Sequence, residues 1–150
     1  MKKYILILSF LLIAVSTNIG QWTSLNNSFG VDIRCMVKVG NALVAGTNGN
    51  GIYYSPNADQ NWIQKNSGLT NLKVYSLASN GSTIGAGTYG NGVFLSNNKG
   101  DSWTLTGGGI TVPFIYALGF LGNNIVSGTG GGGIFKSVNN GSSWSSSGGT

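Results

Sequence analysis

The stretch SNNKGDSW, residues 96–103, returns as SVNNGSSW at residues 137–144 and, more loosely, as SPNADQNW at residues 55–62. The interval is 41 residues each time, and the four tryptophans, Trp22, Trp62, Trp103 and Trp144, stand 40, 41 and 41 residues apart. A constant period of this size signals a repeat architecture, and it outranks any local reading of the elements. The register also holds away from the tryptophans. AGTNGNGIYYS (45–55), AGTYGNGVFLS (86–96) and SGTGGGGIFKS (127–137) superpose without a gap. Upstream of them Ile33, Val74 and Ile115 align, then Met36, Leu77 and Leu118, then Gly40, Gly81 and Gly122, then Leu43, Ile84 and Ile125.

The middle unit supplies the secondary structure. VYSLAS (74–79) alternates in the manner of a strand and ends at Asn80-Gly81, a two-residue hairpin signal. STIGAGT (82–88) reads as the return strand, GVFLS (92–96) as the third and SWTLT (102–106) as the fourth. No window outside the N-terminal segment sustains a helical period, so the unit is all-β, four antiparallel strands of about 41 residues. That is the size of one blade of a β-propeller. The chain therefore reads as three blades, about 29–66, 70–107 and 111–147. An orphan strand, QWTSL (21–25), precedes them and aligns with the fourth strands NWIQK, SWTLT and SWSSS. Three blades fall short of the four to eight of known rings, so the ring is expected to be incomplete.

In the eight-residue turn, Ser55, Ser96 and Ser137 and the asparagines two residues on, Asn57, Asn98 and Asn139, can accept local backbone N–H bonds and fold the link between strands three and four. Gly100 and Gly141 supply the positive φ that a tight turn needs. Trp103 and Trp144 follow as large apolar anchors turned inward, and Trp62 ends the first, looser turn.

The pattern S-x-[DN]-x-G-x-[ST]-W resembles the Asp-box, or BNR repeat, of sialidase-type, sortilin-type and photosystem assembly factor-type propellers, and the resemblance extends over residues 21–150. Asn98 and Asn139 replace the family's usual aspartate, and Asp59 occupies the glycine position of the first box. In that family the box lies far from any reaction centre, so the resemblance implies a fold and not an activity.

Residues 1–20 read as a secretory signal peptide: Lys2 and Lys3 precede an uncharged apolar run from Tyr4 to Val15. That run is shorter than the roughly 20 residues of a membrane helix, so no stable span is expected after cleavage. Cleavage after Ala14-Val15-Ser16 or just before Gln21 both suit the sequence, and an uncleaved anchor is the alternative. The implied address is extracellular or periplasmic. After removal of the signal, six cations, Arg34, Lys38, Lys65, Lys73, Lys99 and Lys136, face three aspartates, Asp32, Asp59 and Asp101, a net 6 − 3 = +3. These charges are dispersed, and nucleic-acid binding, which needs a basic patch, is not expected.

Catalytic chemistry is poorly supplied. The chain has no His and no Glu, and two of its three aspartates sit inside the repeated turn. A glycosidase needs two positioned carboxylates, or a tyrosine nucleophile with a carboxylate partner, and a sialidase also needs an arginine cluster where this chain has Arg34 alone. GGGGIFKS (130–137) superficially resembles a phosphate loop, but Phe135 stands where such a loop has the glycine before its lysine. No catalytic residue, metal site or cofactor is expected. Cys35, the single cysteine, aligns with Ser76 and Ala117 and reads as a small packed side chain.

Among the aromatics, Tyr53, Tyr54, Tyr75, Tyr89, Phe94, Tyr116 and Phe135 could line a protein-binding or glycan-binding face. Phe94 and Phe135 read as packing between blades, whereas Tyr89, in a variable position shared with Asn48 and Gly130, is the candidate exposed binding aromatic. The functional expectation is an exported non-enzymatic interaction scaffold. The alternatives are the N-terminal fragment of a secreted glycoside hydrolase with catalytic residues beyond Thr150, and a repeat lectin. Unburied terminal blades imply either further blades in a longer chain, the favoured expectation, or a homo-oligomer that closes the ring.

Overall fold

The computed structural model describes residues 30–57 and 61–147. The signal segment, the orphan strand at 21–25 and the Asp59 position of the first turn lie outside them. The described chain forms three open four-stranded antiparallel sheets. The first contains β1 (Ile33–Val39), β2 (Ala42–Thr47), β3 (Ile52–Ser55) and β4 (Ile63–Gln64). The second contains β5 (Val74–Ser79), β6 (Ile84–Thr88), β7 (Val93–Ser96) and β8 (Thr104–Leu105). The third contains β9 (Ile115–Leu121), β10 (Asn124–Thr129), β11 (Gly133–Ser137) and β12 (Ser145–Ser146). Within each sheet the strands pair in sequence order, as in a propeller blade.

Burial follows the alternation of the sequence. In β5, Val74, Ser76 and Ala78 are buried while Tyr75, Leu77 and Ser79 are partly exposed. β6 is buried along its whole length because it is paired on both edges and covered on both faces. Its composition, IGAGT, is what such a slot accepts: an added Cβ at Gly87 would lie 2.4 Å from Ile115 Cγ2, and one at Gly85 would lie 2.6 Å from Leu118 Cδ2. The core therefore lies largely between sheets. One cluster joins Val44 and Ile52 of the first blade to Val74, Ile84 and Phe94 of the second, and another joins Val93 to Ile115, Ile125, Phe135 and Trp144.

Two local expectations are corrected. The middle hairpin turns at Gly81-Ser82, not Asn80-Gly81: Asn80 N donates to Thr83 O at 3.3 Å, and Ser79 pairs with Ile84. The sister hairpins turn at the equivalent Gly40-Asn41 and Gly122-Asn123, flanked by the pairs Val39–Ala42 and Leu121–Asn124. Asn80 stands where those blades have Val or Leu, and its Oδ1 caps the turn by accepting the amides of Ser82 (3.2 Å) and Thr83 (2.9 Å). The fourth strands are also only two residues long, because the Trp103 and Trp144 amides leave their own ladders. They donate to Ser67 O (2.8 Å) and Gly108 O (3.0 Å) of the preceding blade's exit.

Ser76 and Ser127 bury hydroxyl oxygens that find no hydrogen-bond partner. Ser127 aligns with Ala45 and Ala86, which are buried without any polar atom to satisfy. Leaving a buried hydroxyl unpaired costs about 1–3 kcal/mol, so Ser127→Ala is expected to raise stability by about 1 kcal/mol in urea unfolding.

Candidate functional site

Two arrangements recur where the sequence places its motifs, and the first is the eight-residue turn. Ser96 Oγ accepts the Gly100 amide (2.8 Å) and donates to Asn98 Oδ1 (2.8 Å), which in turn accepts the Ser102 amide (3.0 Å). Asn98 Nδ2 donates to Ser102 Oγ at 2.8 Å. The third blade repeats every bond: Ser137 Oγ takes the Gly141 amide (2.8 Å) and donates to Asn139 (2.9 Å), and Asn139 takes the Ser143 amide (2.9 Å). Gly100 and Gly141 lie at φ 85° and 81°, and the residues before them, Lys99 and Asn140, also have positive φ.

The tryptophans that follow are buried, and each reaches across to the blade before its own. Trp103 Nε1 donates to Lys65 O (3.0 Å) and Trp144 Nε1 to Thr106 Oγ1 (3.2 Å). The Lys65 side chain closes the same seam. Its Nζ meets Asp101 Oδ1 at 2.6 Å and lies 4.2 Å from the centre of the Tyr54 ring. In the first turn, Ser55 is buried and Trp62 is half-buried.

The second arrangement is the loop after the second strand of each blade. Thr47 Oγ1 donates to Gly51 O (2.9 Å) and accepts the Asn50 amide (3.0 Å); Thr88 and Thr129 do the same in their blades. Positive φ at Gly51 and Gly92, both 76°, aims their amides at the next blade. Gly49 and Gly51 donate to Leu72 O (3.1 and 2.9 Å), and Gly90 and Gly92 donate to Pro113 O (3.2 and 3.0 Å).

Beside these loops the repeat brings its own equivalents together. Arg34, Tyr75 and Tyr116 occupy one repeat position. Arg34 Cζ lies 5.5 Å from the Tyr75 ring centre, and the Tyr75 and Tyr116 centres are 6.0 Å apart. Repeat-equivalent residues can approach each other only near the axis about which the blades are arrayed, so this patch is axial. Tyr89 joins it from its loop, stacked on Tyr75 at 5.0 Å and tilted against Phe114 at 4.9 Å. Tyr89 and Phe114 are each 38% exposed and Tyr116 is 52% exposed. The Tyr116 hydroxyl is pushed above its ordinary range, first by desolvation and then by its neighbours Tyr89 and Tyr75. Arg34 is held from the other side by Asp32 (2.6 Å), and the Tyr75 hydroxyl donates to Asn48 Oδ1 (3.4 Å).

Sequence reasoning singled out Tyr89 and named Tyr75 and Tyr116 among the candidates. It missed Phe114 and Arg34, although Phe114 shares a repeat position with Asp32 and Lys73, and Arg34 shares one with both tyrosines. Phe94 and Phe135 are buried in the two clusters that join adjacent blades.

Other chemistry is sparse among the described residues. No three of His, Cys, Asp or Glu gather, and no helix is long and apolar enough to cross a membrane. A cleft of about 390 Å³ at the rim between the second and third blades is lined by Asn98, Thr104, Thr106 and Ser142 and by no charged side chain. Cys35 lies half-buried beside Val74, with Sγ 3.8 Å from Val74 O, and burial pushes its thiol from 9.0 up to about 11.

No protein-family model matches the chain, and no curated protein matches it. Solved structures do resemble it. Over 76% of its length it superposes on YCF48 bound to D1 peptide, with a TM-score of 0.66 and 17% identity. It also superposes on the extracellular domain of a putative one component system from B. thetaiotaomicron (TM-score 0.63, 22% identity, 76% of the chain). An ancestral GH74 enzyme matches 78% of the chain with a TM-score of 0.61 and 22% identity. The chain spans 38%, 16% and 18% of those three proteins respectively. These likenesses establish the propeller fold.

Two outcomes follow from the geometry. Asn98→Ala, which removes the acceptor for Ser102 N and Ser96 Oγ, is expected to cost about 1–2 kcal/mol in denaturant unfolding, whereas Asn98→Asp, which keeps that oxygen, costs less than about 1. The raised Cys35 pKa favours the neutral thiol in the fold. Iodoacetamide at pH 8 is therefore expected to label the native chain about 100-fold more slowly than the urea-unfolded chain. The same shift stabilises the fold below pH 9, and that contribution fades as pH rises from 9 toward 11.

Proposed function

We propose that this chain is an exported, non-enzymatic propeller module of the Asp-box type whose axial aromatic face binds a protein partner. The observation that carries the reading is the exposed cluster of Tyr89, Phe114 and Tyr116, backed by Tyr75 and Arg34. Tyrosine and arginine are the residue types that concentrate binding energy at protein interfaces, and their rings offer large contact area at little entropic cost. The serine–asparagine–glycine bond pattern of the turns supports the Asp-box assignment. Lys2, Lys3 and the apolar run after them support export.

The hydrolase reading lacks material within this sequence, which has no His, no Glu and one Arg. The likeness to an ancestral GH74 enzyme is a likeness of fold. The lectin reading asks for one equivalent site per blade. The axial positions differ from blade to blade instead: Arg34, Tyr75 and Tyr116 at one, and Asn48, Tyr89 and Gly130 at another. One composite surface suits a single macromolecular partner better than three equal sugar sites.

The test is selection of a displayed peptide library on the purified chain. Enriched peptides are expected to lose at least about tenfold in affinity for a Tyr89→Ser, Tyr116→Ser double variant. Peptides that bind the double variant equally well, or turnover of a fluorogenic sialoside by the chain, would overturn the proposal.

A further inference from the structure

The two blade junctions that are filled define what a third would need. At the first, Leu72 O receives the amides of Gly49 and Gly51, and fully buried Val74 lies over Gly46, where an added Cβ would be 2.7 Å from Val74 Cγ1. At the second, Pro113 O receives the amides of Gly90 and Gly92, and fully buried Ile115 lies over Gly87 at 2.4 Å by the same measure. Each junction thus has a receiving half, a glycine-flattened second strand with its loop, and an inserting half, the start of the next blade's first strand.

Among the described residues both halves also exist unfilled. The third blade carries the receiving half: Gly128 stands at the position of Gly46 and Gly87, and Gly131 and Gly133, at φ 97° and 81°, stand at those of Gly90 and Gly92. An added Cβ at Gly128 meets only Ala117 Cβ, at 3.3 Å, and the Gly131 amide turns back onto Thr129 O. The first blade carries the inserting half: Val31, Ile33 and Met36 align with Leu72, Val74 and Leu77 and with Pro113, Ile115 and Leu118. Ile33 is 40% exposed and Met36 50%, although Val74 and Ile115 are completely covered.

We infer that the inserting half of one chain occupies the receiving half of a second copy. Val31 O takes the place of Pro113 O beside Gly131 and Gly133, and Ile33 lies over Gly128. The contact continues an interface that the chain already builds twice with the same residue types. Two such head-to-tail junctions, one in each direction, join two arcs of three blades into a six-bladed ring, within the range that closed propellers adopt. Both terminal apolar faces are then removed from water.

Light scattering on the purified chain at micromolar concentration tests this. The expected mass is twice that of one chain. Gly128→Val meets only Ala117 Cβ within a single copy, a tight 3.3 Å contact that a small local shift relieves, but it collides with an incoming Ile33, and Ile33→Asp puts a charge into the junction. Each is expected to weaken dimerisation by at least tenfold while keeping cooperative unfolding. Mixing the two variants leaves one sound junction and is expected to restore a dimer. A wild-type monomer, as a chain normally completed by further blades of its own would give, overturns the inference. So does a dimer indifferent to both substitutions.

Discussion

Each sheet in this chain is apolar on both faces, so no blade can bury its own core and every blade depends on its neighbours. The structure meets that constraint twice at each seam. Near the axis, the loop after the second strand sends two glycine amides to a carbonyl at the start of the next blade, and a β-branched side chain follows into the slot left by a glycine. At the rim, the tryptophan after the eight-residue turn reaches back, by its backbone amide and its indole N–H, to the exit of the preceding blade. Strand pairing holds each blade together, and these two clasps make the blades into one body.

The division of labour explains which residues vary. The turn and the glycine loop repeat because their bonds are local and demand particular chemistry: an oxygen two residues after serine, a threonine hydroxyl, positive φ. The axial positions carry no such demand. Arg34, Tyr75 and Tyr116 occupy equivalent backbone sites yet meet in space, so three repeats contribute three different side chains to one surface. A repeat scaffold of this kind supplies rigid geometry, and its exposed positions near the loops are left for recognition.

Much of this was legible in the chain itself. The period of 41 residues, the four strands per unit and the serine, asparagine and glycine roles in the turn all rest on interactions within a few residues, which leave a pattern in sequence. The tryptophans were recognisable as anchors, but their target was not, because Lys65 and Thr106 lie 38 residues earlier and carry no mark of it. The shortened fourth strands have the same origin: the amides of Trp103 and Trp144 are taken by another blade.

The axial patch shows where sequence reading ends. Tyr89 stood out because its repeat equivalents are Asn48 and Gly130, a contrast visible in one dimension. Phe114 and Arg34 did not stand out, since their membership depends on blades converging at an axis. The sequence by itself determined the repeat, the blade and the turn chemistry, all set by short-range sterics and hydrogen bonding. Only the tertiary structure decided which seams Trp103 and Trp144 close, which glycines must stay bare and which aromatics share a surface. Those outcomes depend on the packing angle between blades, which arises from contacts about 40 residues apart in the chain.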